Sequence, residues 1–395
     1  MRSTSTRALL VVTALASLAL GSAAAGCTED ELVAPTDPPD ASSTPVDATT
    51  DAPSAAPDAG SGRDCARDLA SDGLPNHLDC TGLYASFASK TPADGVKPYA
   101  PGAQLWSDDA VKTRFVYLPP GTTIDATNLD DWKLPVETKL WKEFALDGKR
   151  IETRLYAKVA EGSWKHTTYR WKADESDAER LDTGEMVPRA DGGPDYEVPR
   201  SDQCNVCHKG RTEPTLGFEA VSLALPGASG ATLAALVDAK LLAPAPPATA
   251  TPIPDDGTAK AAKALGWLHA NCGSCHSSST KAEAYYTGTF FQIRAGQLQP
   301  VDGGVKNGGQ LDAVKTTCGL GSSKSNPDGG APLFRLQPGS PQTSAIYVLP
   351  ASRAPQGAQP NPNQQMPPIV SHRVDPDGIA ALKDWISALA ACPPK

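Results

Sequence analysis

Ile151, Thr153, Leu155, Ala157 and Val159 alternate with Glu152, Arg154, Tyr156 and Lys158. A period of two predicts a strand with one buried face. Asp147-Gly148 precedes it as a hairpin signal, after a second strand-like run at residues 139–146. Residues 114–118 form another such run, closed by Pro119-Pro120-Gly121, and Gly162 opens a further one through Trp164, His166 and Thr168 to Trp171. Short strands between regular turns predict a small β-sandwich or barrel over residues 64–200.

Beyond Cys204 the period lengthens. Leu233, Leu236, Val237 and Leu241 recur at helical spacing, as do Ala261, Leu265 and Leu268. A third stripe, Ile379, Leu382, Ile386 and Leu389, follows Asp375 as N-cap and Pro376 as first helical residue. Residues 301–331, rich in Gly, Asp and Ser, read as a surface insertion.

The helical part carries one pentapeptide twice, Cys204-Asn205-Val206-Cys207-His208 and Cys272-Gly273-Ser274-Cys275-His276. C-x-x-C-H is the attachment signal of c-type haem: two thiols form thioethers with one porphyrin, and the adjacent histidine takes the iron. A single C-x-x-C also occurs in zinc and redox sites, but two full copies point to two covalently attached haem groups, with His208 and His276 as proximal iron ligands.

Composition then places the chain. The formal charge is −9, and residues 28–63 hold eight acids against one base, Arg63. An acidic balance disfavours nucleic acid as a partner. Arg2, Arg7 and an apolar run over residues 8–20 lead to Ala24-Ala25-Gly26-Cys27. This resembles a bacterial lipoprotein leader, residues 1–27, with Cys27 as the lipidated residue; an ordinary signal peptide is the alternative. The apolar run is too short to span a bilayer, so the only membrane contact expected is the lipid anchor, at the bacterial outer membrane or in the periplasm. Residues 28–63, poor in large apolar side chains, read as a disordered acidic linker. Of nine cysteines, four for haem and one for lipid leave Cys65, Cys80, Cys318 and Cys392. Two disulfides are expected in an oxidising compartment. Proximity favours Cys65 with Cys80 and leaves Cys318 for Cys392, although two other pairings stay open.

The expected architecture is α+β and multidomain: a β-sandwich- or barrel-like domain at residues 64–200, a first haem c segment at 201–250, and an α-helical, class I-like cytochrome c region at 251–395. Leu105-Trp106-Ser107-Asp108, Arg114-Phe115-Val116-Tyr117-Leu118-Pro119-Pro120-Gly121, Gln203 to His208 with Leu216-Gly217-Phe218, Leu268-His269-Ala270-Asn271, Pro338-Gly339-Ser340 and Met366-Pro367-Pro368 resemble a bacterial family of dihaem c-type cytochromes with a β-rich segment ahead of the two motifs. The likeness covers about residues 80–390 and implies electron transfer.

Of three methionines, Met366 lies 90 residues after His276 and ahead of the last helix, where a distal thioether ligand of the second haem belongs. The first haem has no methionine downstream before Met366. Its candidates are His269, just ahead of the second motif, Met186 upstream, or an open iron, with His77, His166 and His372 as lesser choices.

The leading expectation is a membrane-tethered electron carrier working with redox partner proteins, not an enzyme. One alternative is a peroxidase- or oxidase-like haem oxidoreductase with an open first haem, for which Glu213 is a candidate distal acid. Another couples the redox pair to ligand binding by the β region, with Trp132, Trp141, Trp164 and Trp171 as a binding surface.

Overall fold

In the computed structural model, residues 62–247, 251–298, 307–327, 329–355, 358 and 362–393 are described. The leader with Cys27, and the linker up to residue 61, lie outside them. The described residues belong to one unit, Ala55–Lys395.

The chain builds β1 (Val96–Ala100), β2 (Val111–Tyr117), β3 (Lys139–Leu146), β4 (Lys149–Ala160), β5 (Ser163–Trp171) and β6 (Ala178–Arg180). A small hairpin, β7 (Glu185–Val187) with β8 (Tyr196–Val198), follows. With β9 (Ser229–Gly230), the first six strands form one antiparallel sheet in the order β9-β1-β2-β3-β4-β5-β6. Asp147 (φ 51°) and Gly148 (φ 76°) form the two-residue turn between β3 and β4; positive φ at both positions gives it the twist that matches the right-handed twist of the strands on either side.

The sheet is buried on both faces. Phe115, Trp141, Leu155, Ala157 and Tyr169 pack against the N-terminal segment through Leu78, Leu83 and Phe87. That segment is tied by the Cys65–Cys80 disulfide. On the opposite face Tyr99, Val116, Leu140 and Tyr156 meet Phe218, Leu223 and Leu236. The region is therefore built on one large open sheet between two layers, not the sandwich or barrel expected. Strand alternation marks which side chains share a face, but not whether a second sheet or loops and helices cover it.

Nor is the region after residue 250 an α-helical class I cytochrome c. Helix makes up 23% of the structure. The helices are short, among them α1 (Ser201–His208), α2 (Ala220–Ala224), α3 (Leu233–Asp238), α4 (Ala261–Cys272), α5 (Ala345–Ala351) and α6 (Pro376–Ala388). The apolar stripes are present, but 37 prolines and 34 glycines keep them short, since each interrupts or weakens helical hydrogen bonding. α4 packs on α6 through Leu265, Leu268, Leu382, Trp385 and Ile386. A Cβ on Gly378 would overlap the Trp267 indole, whose Nε1–H donates to Asp375 at 2.7 Å. The stretch read as a surface insertion instead sends Leu311, Val314 and Cys318 into this core, and Cys318 is bonded to Cys392 beyond α6. Among the described residues no helix is long and apolar enough to cross a membrane.

Candidate functional site: two abutting CxxCH motifs

The first motif lies on α1. Its N-terminus is closed by Gln203, whose side chain accepts the Arg200 main-chain N–H at 2.7 Å. Helical spacing puts Cys204, Cys207 and His208 on one face. The second motif starts at the last residue of α4, Cys272, and one more helical turn follows, His276 N–H donating to the Cys272 carbonyl at 2.8 Å.

Both histidines are oriented alike. His208 Nδ1 lies 2.5 Å from the Pro214 carbonyl, and His276 Nδ1 lies 3.3 Å from the Thr289 carbonyl. A carbonyl oxygen only accepts, so each ring carries its proton on Nδ1 and keeps the Nε2 lone pair, the arrangement of a metal-ligating imidazole. Burial pushes the His208 imidazolium well below its usual range and His276 down to about 4, so both rings are neutral at pH 7. His208 stacks on Tyr156 at 4.2 Å between ring centroids, and Tyr156 stacks on His166 at 5.0 Å. Phe291 meets the His276 ring edge-on at 5.3 Å.

The loop holding Pro214 is itself anchored. Glu213 is buried and accepts from Lys158 Nζ at 2.6 Å and from the Trp164 indole. It is thus neither a solvated surface group nor an acid free to serve an open iron. Trp132, Trp141 and Trp171 are core residues and form no binding surface, while Trp164 is committed to this clamp.

The two motifs touch. Cys275 Sγ donates to the Val206 carbonyl at 3.7 Å, and the free Cys207 and Cys275 thiols lie within hydrogen-bonding reach of each other. Contact with Cys275, then burial, pushes the Cys207 thiol well above its usual range, and burial pushes Cys272 up to about 12. At Gly210 a Cβ would overlap the Ser274 carbonyl oxygen, so only glycine allows this approach. Lys209 and Glu283 form an ion pair across the junction.

An open cleft is lined by Cys204, Cys207, His208, His269 and Cys275. Cys272, His276, Met186 and Met366 do not line it. His269 is buried with both nitrogens engaged: Nδ1 accepts the Ile293 N–H at 3.0 Å, and Nε2 faces Glu219 and Ser222 at 3.3 Å each. Burial alone would raise Glu219, but Arg211, His269 and Ser222 outweigh it and hold the carboxyl well below its usual range. Met186, 48% exposed, is the cross-strand partner of Glu197 on the cleft rim. Met366 packs with Leu333, Val348 and Leu349. His77 is bonded to Asp68, His166 to the Ser201 carbonyl, and His372 to Glu197.

The donor set suits a porphyrin better than a bare ion. The His/Cys/Asp/Glu groups close enough to share a metal among the described residues do not include the four motif cysteines, whereas each motif offers paired thiols and a lone-pair-bearing Nε2. No protein-family model, no curated protein and no solved structure matches this chain.

Proposed function

We propose that this chain is a dihaem c-type cytochrome that carries electrons outside the cytoplasm, tethered to a membrane by a lipid on Cys27. The observation that carries the reading is the pair of abutting motifs whose histidines both give Nδ1–H to a main-chain carbonyl. Cys204 and Cys207 hold one haem, with His208 on its iron; Cys272 and Cys275 hold the other, with His276. When bound, the haem supplies one-electron chemistry. The chain's residues fix the imidazoles, exclude water around them, and hold the two attachment points in contact. Met366 is the proposed distal ligand of the second haem. For the first, His269 serves only if it gives up Glu219 and Ser222, and Met186 only if it turns in from the rim. Two disulfides support an oxidising compartment. Partners are redox proteins that approach the cleft side.

The test is intact mass and a pyridine haemochrome assay on the full chain matured in a host that attaches haem. Two haems are expected, falling to one in Cys204→Ala/Cys207→Ala and in Cys272→Ala/Cys275→Ala. A chain that carries no covalent haem after such maturation sinks the proposal.

A further inference from the structure

The cleft has a cationic wall. Arg114 on β2 is the cross-strand partner of Lys142 on β3, and Lys142 is the partner of Arg154 on β4. Directly opposed side chains lie roughly 5 Å apart, and like charges so placed repel. All three line the same cleft as Cys204, Cys207 and His208, and Lys112 joins them one pleat away.

The carboxylates nearby are already committed. Arg154 takes Glu152, which also accepts from Tyr196. Glu197 holds His372 and Gln203, Asp108 accepts main-chain N–H groups of His372 and Arg373, and Glu219 caps α2 and faces Arg211. Arg114, 3% exposed, reaches only the Gln104 side-chain oxygen at 3.1 Å. Lys112 Nζ donates to the Leu105 carbonyl and the Ser107 hydroxyl. Lys142 has no hydrogen-bond or ion-pair partner among the described residues. Arg114 is buried and Lys142 and Arg154 are half-buried; cations withdrawn from water in this way are normally paired, and a row of three with one carboxylate between them lacks its anion.

We propose that Arg114, Lys142 and Arg154 form a carboxylate-binding row whose ligands are the propionates of the haem held by Cys204 and Cys207. This rests on the haem reading above. A haem bears two carboxylates on the edge opposite its thioether-forming positions, which matches the charge the row lacks. Burial, then the adjacent Arg114 and Arg154, pushes the Lys142 ammonium down to about 7, and an anion beside it restores its charge. A free carboxylate from solution has the same chemistry, and the experiment separates the two sources.

Full-length protein matured with haem is compared with Lys142→Gln, Arg114→Gln and the charge-keeping Lys142→Arg. Haem is counted first, and both midpoint potentials are then read by spectroelectrochemical titration. At two haems per chain, Lys142→Gln and Arg114→Gln shift one potential downward, because propionate charge left uncompensated favours ferric iron, while Lys142→Arg does not. Unchanged potentials at full haem count overturn the assignment. A change of the ferric first haem from low to high spin in Lys142→Gln also overturns it, since it marks Lys142 as an iron ligand. Potentials of the unmutated protein that move on adding formate, and no longer do so in Lys142→Gln, assign the row to a solution carboxylate instead. A parent protein with no haem fails the haem reading itself, which the count alone reveals.

Discussion

Cys275 of the second pentapeptide donates its thiol proton to the carbonyl of Val206, inside the first, at 3.7 Å. Two haems attached at these points would be held close together and, if both are present, are expected to interact magnetically. EPR of the fully oxidised protein is predicted to differ from the sum of the two single-haem variants. A spectrum equal to that sum contradicts the close approach.

Glu213 ties the loop carrying Pro214, and through it His208, to Lys158 and Trp164. Without Glu213 the buried Lys158 keeps only the exposed Glu161 at 3.2 Å, and truncating one partner of a buried pair costs about 3–5 kcal/mol. Glu213→Ala is predicted to lose that much in urea unfolding. Glu213→Leu combined with Lys158→Met is expected to recover most of it, and a double variant no better than the single one contradicts the argument.

Gly210→Ala places a methyl group against the Ser274 carbonyl. Backbone must move, and overpacking of this kind costs about 1–3 kcal/mol. A lower melting temperature is expected, together with weaker magnetic interaction between the haems. An unchanged EPR spectrum shows that the junction tolerates the added group.

His372 and Glu197 meet at 2.7 Å on the cleft rim. The hydrogen bond to Glu197 raises His372, so its contribution is full below the unfolded histidine value and is lost as pH rises through the folded one. For Glu197 burial opposes, but His372 and Gln203 prevail and lower it, so its contribution fades as pH falls through the folded value. The pair therefore stabilises most between about pH 5 and 6.5, by roughly 1 kcal/mol or less for a partly exposed contact. His372→Gln is predicted to lose stability in that window and little at pH 8, by denaturation across pH. A loss independent of pH points to packing instead.

The Cys318–Cys392 bond closes a loop with a sequence separation of 74 residues. By chain entropy its removal costs about 4 kcal/mol. Cys318→Ser/Cys392→Ser is predicted to lower stability by that order, more than Cys65→Ser/Cys80→Ser with its separation of 15, worth about 3 kcal/mol. Equal stability of the intact and doubly substituted chains contradicts this.

Local signals carried the sequence reading furthest. The alternation at residues 151–159 and the Asp147-Gly148 turn became β4 and its hairpin, and Asp375 with Pro376 opened α6. What failed depended on distance along the chain. Period two does not say what covers a face, so one sheet between two layers read as a sandwich. Apolar stripes do not reveal helix length where proline and glycine are dense, so a helical region was overstated. Glu213 reads as a candidate distal acid in the sequence because its buried partner Lys158 stands 55 residues away. The row of Arg114, Lys142 and Arg154 exists only in the register of three strands. The motif histidines were plain in sequence, but the carbonyls that orient them were not.

The bare Cα of Gly210 has a kinetic consequence. Electron tunnelling between two centres falls off exponentially with the gap between them, so its rate depends most on the closest through-bond and through-space jump. If both motifs carry haem, that jump would run through the contact of Cys207 with Cys275, which Gly210 permits by letting its main chain approach Ser274. The speed of exchange between the haems would then depend on how closely the backbone at Gly210 lets the two cysteines approach, leaving side chains farther from the junction to tune the driving force.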